Sequence, residues 1–125
     1  MILRFTLLLA FSCLCSLVAH SQDNTQTPAA GTRVMIAKRG SSPSELAIGD
    51  YIIAGAFKEE ANAKKYQGRL IDLGLTTPDY GFSTDKGLWY VYITRHTDID
   101  VARQERDNYR ELDAFRNAWV LSVVE

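Results

Sequence analysis

The sequence predicts an α+β domain of element order β-α-β-β-α-β: a split βαβ sandwich, with one antiparallel sheet carrying both helices on one face. Three observations predict it. Runs rich in β-branched and aromatic residues alternate with runs of helical spacing. The two halves resemble each other: Tyr51-x-Ile53 followed by Ala63 matches Tyr90-x-Tyr92 followed by Ala102, with the same spacing of 12 in both. Leu73 and Leu112 keep the same offset of 39.

The elements follow in order. RVMIAKRG (33–40) favours a short strand through Val34, Met35, Ile36 and Ala37 but lacks clean alternation, and SSPSELAIGD (41–50) reads as a loop. YIIAGAF (51–57) is the first strong strand. KEEANAKKYQGRLIDLG (58–74) is a helix with Ala63, Tyr66, Leu70 and Leu73 on one face and Gly74 as its terminator. A short strand is expected around Asp79–Phe82, then a turn at 83–87. LWYVYITRH (88–96) is the next strong strand. Thr97 is expected to cap a second helix, with Asp100 as the acid of a capping box. Val101, Ala102, Tyr109 and Leu112 supply its apolar stripe, broken by Glu105, and Arg103–Asp107 its solvated face. Phe115 is expected to tuck under that helix, and NAWVLSVVE (117–125) closes the chain as a strand.

The start of the chain reads differently. MILR supplies a charged n-region, FTLLLAFSCLCSLV is apolar but short for a bilayer span, and Ala19-His20-Ser21 offers small residues for cleavage. Residues 1–21 are therefore expected to be a secretory signal peptide, preferred over lipoprotein processing before Cys13. Residues 22–48 then form a linker with a short extra strand, and 49–125 the domain. Removing 1–21 leaves 13 Lys and Arg against 15 Asp and Glu, a charge of −2. It also removes both cysteines and His20. The mature chain is expected to have no disulfide, no metal site of Cys/His type, no cofactor and no membrane span. Its weakly acidic balance argues against nucleic acid, whose phosphates need clustered Lys and Arg.

The ordered motifs resemble the SPOR family of sporulation-related repeat domains, small modules that bind peptidoglycan. Tyr51-Ile52-Ile53-Ala54-Gly55-Ala56-Phe57 resembles its aromatic strand running into Gly-Ser-Phe. Asn62-Ala63, Leu70 and Gly74 fill its first helix, Leu88-Trp89-Tyr90-Val91 its third strand and Ala118-Trp119-Val120 its ending. The resemblance covers roughly residues 50 to 125. It implies a ferredoxin-like or RNP-like βαββαβ sheet whose open face docks on glycan strands stripped of stem peptides, and a binding module rather than an enzyme. Ile53 stands where many members carry Gln, Ala56 where they carry Ser, and Tyr90 and Tyr92 where they carry an Arg-x-Arg pair. Apolar and aromatic groups thus replace polar ones.

Alternation places Ile52, Ala54, Trp89, Val91 and Ile93 toward the helices. Tyr51, Ile53, Tyr90 and Tyr92 then share the other face, the expected glycan- or partner-binding site, since tyrosine stacks on a sugar or a protein at low entropic cost. The competing reading is that these aromatic pairs only stabilise the sheet. The expected function is a non-catalytic periplasmic peptidoglycan-binding module. The alternative is a protein–protein interaction domain of a cell-envelope assembly using the same face, which the replaced Gln and Arg positions favour. No catalytic residue is assigned. His96 has no nucleophile or metal placed beside it by the sequence. Glu45, Glu59 and Glu60 read as surface acids, the last two complementing a helix N-terminus. Arg106 and Arg110, one turn apart, are weaker candidates for an anionic group.

Overall fold

A computed structural model of the chain describes residues 34–125. The expected signal peptide and residues 22–33 of the expected linker lie outside the described residues. The order is β1 (Val34–Lys38), β2 (Gly49–Phe57), α1 (Glu60–Asp72), β3 (Asp79–Ser83), β4 (Leu88–His96), α2 (Ile99–Tyr109), a single 3-10 turn (Asp113–Phe115) and β5 (Trp119–Val124). The sheet runs β1-β5-β2-β4-β3. All pairs are antiparallel except β1 with β5. From β2 onward this is the expected βαββαβ order. The segment read as a linker with a short strand supplies the fifth strand at the sheet edge.

The strands bury two apolar surfaces, as alternation requires. Ile52, Val91 and Ile93 meet Ala63, Leu70, Phe115 and Ala118 beneath the helices, with Ala54, Phe57, Tyr66, Tyr80, Trp89 and Tyr109 packed around them. Tyr51, Ile53, Tyr90, Leu121, Val123 and Ala37 gather on the other side with Leu46, flanked by Leu88, Tyr92 and Trp119. The β2–β4 register shifts between Ile52 and Ile53 and again before Gly55, because Ile93 and then Ala54 are each one residue in excess. Such bulges bend the strands and increase their twist. The sheet curls far enough for β1 to meet the β3–β4 turn from the opposite edge: the Lys38 N–H donates to Asp85 Oδ2 at 2.9 Å.

The helices depart from the expected pattern at their ends. Leu73 caps α1 and is exposed, while Leu75 turns back onto the helix-side core. Gly74 follows at φ 104°, a left-handed conformation that favours glycine. The N-cap of α2 is Asp98, not Thr97. Its carboxylate accepts the Asp100 N–H at 2.8 Å, so Asp100 lies inside the first turn instead of closing a capping box. The buried stripe of α2 runs through Ala102, Arg106 and Tyr109, whereas Val101 and Leu112 are exposed. Arg106 is therefore not on the solvated face. Only 4% exposed, it buries its alkyl stem and its Nε donates to Asp107 at 3.0 Å.

Gly68 lies inside α1, where a Cβ would meet nothing within 4 Å. Glycine there costs backbone entropy without a packing return, so Gly68→Ala is expected to raise stability by about 0.5–1 kcal/mol. A rise in the urea midpoint at unchanged slope checks this.

Candidate functional site

The concave side of the curled sheet collects four aromatic rings from three strands. Across the sheet, Trp119 of β5 pairs with Ile53 of β2, Ile53 with Tyr92 of β4, and Tyr92 with Asp79 of β3. Tyr51 and Tyr92 meet edge to face with ring centroids 4.7 Å apart, and Tyr90 meets Trp119 in the same manner at 6.4 Å. Both geometries suit the ring quadrupoles. The guanidinium of Arg95 lies over the Tyr51 ring at 5.9 Å. Structure thus places all four sequence-predicted residues on one face, together with Trp119.

That face is not open. Tyr51, Ile53 and Tyr90 are each at most 2% exposed, because residues 39–48 cross the concavity as a strap. Leu46 is the residue that covers it, and it seats on Gly81. A Cβ on Gly81 would stand 2.4 Å from Leu46 Cδ2, so only glycine leaves the space. The strap is tied down along its length. The Leu46 N–H donates to the Phe82 carbonyl and the Phe82 N–H to the Ser44 carbonyl, at 2.9 and 2.8 Å. The Tyr51 hydroxyl donates to the Ala47 carbonyl at 2.7 Å, and Arg95 to the Ile48 carbonyl. Glu45 accepts from the Thr84 hydroxyl at 2.6 Å and its N–H at 2.9 Å. Burial pushes the Glu45 carboxyl up, but the Thr84 and Gly40 hydrogen bonds and the Arg39 charge together hold it below its usual range.

What stays accessible is the mouth. Tyr92, Trp119 and Leu88 are half-buried, and Ala56 and Arg95 are exposed. Trp119 Nε1 is a buried donor with no acceptor among the described residues. Burial, with Asp79 and Tyr51 adding to it against Arg95, pushes the Tyr92 phenol up to about 12 from an ordinary 10.0. The neutral phenol is the form the fold favours. The stability it contributes is complete below the unfolded-chain value near 10.0 and is lost as pH rises through about 12. A spectrophotometric titration is expected to show a phenol ionising near 12 that vanishes in Tyr92→Phe.

The acids and the histidine considered earlier do not assemble into a catalytic group. Glu45 is engaged by Thr84 on the strap. Glu60 accepts from the Tyr80 hydroxyl at 3.3 Å on the helix side, and Glu59 occupies the N-cap position of α1. His96 ends β4 and meets Glu105 of α2 at 2.7 Å and Thr94 at 3.1 Å. Arg110 gives its Nε to the Ala118 carbonyl at 2.6 Å, which commits it to holding β5. Among the described residues no three His, Cys, Asp or Glu side chains gather to hold a metal, and no helix is long and apolar enough to cross a membrane.

Leu46 and Arg95 are the site residues missed by reading the strands alone, whereas Trp119 is a residue whose face that reading leaves open. The run of β-formers around Trp119 predicts its strand, and the pairing of Trp119 with Ile53 assigns its face. A family model described as SPOR domain matches residues 49–122. No curated protein and no solved structure matches the chain.

Proposed function

The chain belongs to the SPOR domain family, whose domains are peptidoglycan-binding modules, and on that premise we propose that it is a non-catalytic module that adsorbs glycan strands at the mouth of its aromatic concavity. The observation that carries this reading is the half-exposed pair Tyr92 and Trp119. It stands at the rim of a cluster in which Tyr92 meets Tyr51 and Trp119 meets Tyr90 edge to face. An aromatic ring offers its π-face to the C–H face of a sugar, and a tyrosine hydroxyl suits a sugar hydroxyl or acetamide oxygen. Tyr92 makes the direct contact. Tyr51, Ile53 and Tyr90 form the floor that fixes its ring. The wall glycan reaches the domain in the periplasm after removal of residues 1–21, and strands stripped of stem peptides, as at a dividing septum, leave the sugars accessible.

Co-sedimentation with purified sacculi, before and after amidase treatment, tests the proposal. Binding is expected to rise on the denuded glycan and to fall about fivefold to tenfold in Tyr92→Leu, the loss of one stacked ring. Equal binding to treated and untreated sacculi, with no change in the variant, would sink it. A stoichiometric envelope protein retained by the wild type and lost by Tyr92→Leu, without sacculus binding, would assign the face to a protein instead.

A further inference from the structure

On the helix side of the sheet, away from the concavity, Phe57, Asn62, Lys65, Tyr66 and Arg69 line a depression of about 310 Å³. Positions 62, 65, 66 and 69 fall on one face of α1 by helical spacing, and Phe57 reaches them from the end of β2. The Phe57 and Tyr66 rings lie 5.4 Å apart at 50° and are half-buried, so they form an apolar wall. Gly55 beneath them permits this: a Cβ there would stand 3.1 Å from both rings. Asn62, Lys65 and Arg69 are exposed around the wall.

Two features distinguish this depression from an ordinary helix surface. Lys65 and Arg69 are four residues apart, a like-charge pair that weakens a helix, and neither has an acid partner among the described residues. The acids of the same helix do not compensate, since Glu60 hydrogen-bonds to Tyr80 and Asp72 makes no ion pair with Arg69. Two uncompensated cations, an amide and an aromatic wall in one depression match a compact ring that bears a carboxylate. Arg69 and Lys65 take the carboxylate, the ring face lies on Phe57 and Tyr66, and Asn62 pairs with a hydroxyl or acetamide. The volume is at the lower end for small-molecule sites and suits a single sugar unit.

We propose that this depression is a second binding site, selective for a carboxylate-bearing N-acetylated sugar of the muramic acid type. The sugar's identity rests on the peptidoglycan reading, whereas the requirement for a ring and a carboxylate rests on the pocket alone. Two sites on opposite sides of the sheet let one domain hold two strands, or two turns of one strand.

The test is an amide NMR titration of the domain with N-acetylmuramic acid, with N-acetylglucosamine and with inorganic phosphate. N-acetylmuramic acid is expected to shift the Asn62, Lys65, Tyr66 and Arg69 amides saturably, and at least tenfold more tightly than either control. Lys65→Ala/Arg69→Ala is expected to weaken that response tenfold or more. Both positions are exposed on a helix and alanine is its best former, so the variant folds, which an unchanged or raised melting temperature verifies. No shift at these amides, an equal response to N-acetylglucosamine, or an equal response to phosphate would each overturn the proposal. Failure of sacculus co-sedimentation would remove the proposed function yet leave this titration readable.

Discussion

Tyr90→Ala is expected to cost about 3–5 kcal/mol of folding stability, the range for truncating a fully buried large aromatic. Tyr90 is 1% exposed and stands at the centre of the concave core, with Trp119 edge to face, Ala56 and Gly81 on the flanking strands, and Leu46 in the same cluster above. Removing its ring leaves a cavity that the bulged β2–β4 pair and the tied strap cannot both close. A domain of this size has about 5–15 kcal/mol in total, so the loss is a large part of the whole. Tyr92→Ala, at the half-buried mouth, is expected to cost clearly less, because its side chain is less completely buried than that of Tyr90. Urea denaturation of both variants checks the order, and equal losses would contradict it. This has a practical consequence for binding. Loss of sedimentation in a Tyr90→Ala/Tyr92→Ala double variant would mix lost stability with the lost face, so only the Tyr92 substitution reads recognition.

Strand faces are legible from sequence because alternation is a local property. Tyr51, Ile53, Tyr90 and Tyr92 could be grouped, and separated from Ile52, Val91 and Ile93, without any knowledge of their neighbours. Whether a face is open is not local. Leu46 lies in a Ser/Pro segment with no period, and its place over Tyr90 depends on the missing side chain of Gly81, which matters only once β3 is registered on β4. The same limit explains Arg106. Residue type argues for solvent at that position, yet helical spacing from Ala102 directs its stem inward, and spacing prevails because an arginine stem is itself apolar. Trp119 is a third case. Its face follows from pairing with Ile53, a contact 66 positions away in sequence. The shared face of Tyr51, Ile53, Tyr90 and Tyr92 was thus legible, and its accessibility was not.

Gly81→Ala is expected to destabilise the domain by about 1–3 kcal/mol, the usual penalty for overpacking a closed core. The sign is the informative part, since glycine inside a strand is normally a weakness that alanine relieves. Here the added methyl would stand 2.4 Å from Leu46 Cδ2, 3.0 Å from its Cγ and 3.5 Å from the Ser44 carbonyl. Leu46 cannot simply lift away, because its own N–H is bonded to the Phe82 carbonyl and Ser44 accepts from Phe82 on the same stretch. Either the leucine leaves a low-energy rotamer or the strap leaves the β3 edge. Leu46→Ala removes the clash, so in that background the Gly81→Ala change is expected to cost far less, giving a coupling of about 1–2 kcal/mol between the two positions. Hydrogen exchange localises the effect: faster exchange at Leu46 and Phe82 in Gly81→Ala, with the α1 amides unchanged, identifies the strap as the part released. Additive costs in the double-mutant cycle, or a stabilised Gly81→Ala, would show that Leu46 is not what closes the concave face. If the strap alone is released while the sheet holds, Tyr51 and Tyr90 become reachable, and sacculus binding by Gly81→Ala then reads the contribution of the aromatic floor directly.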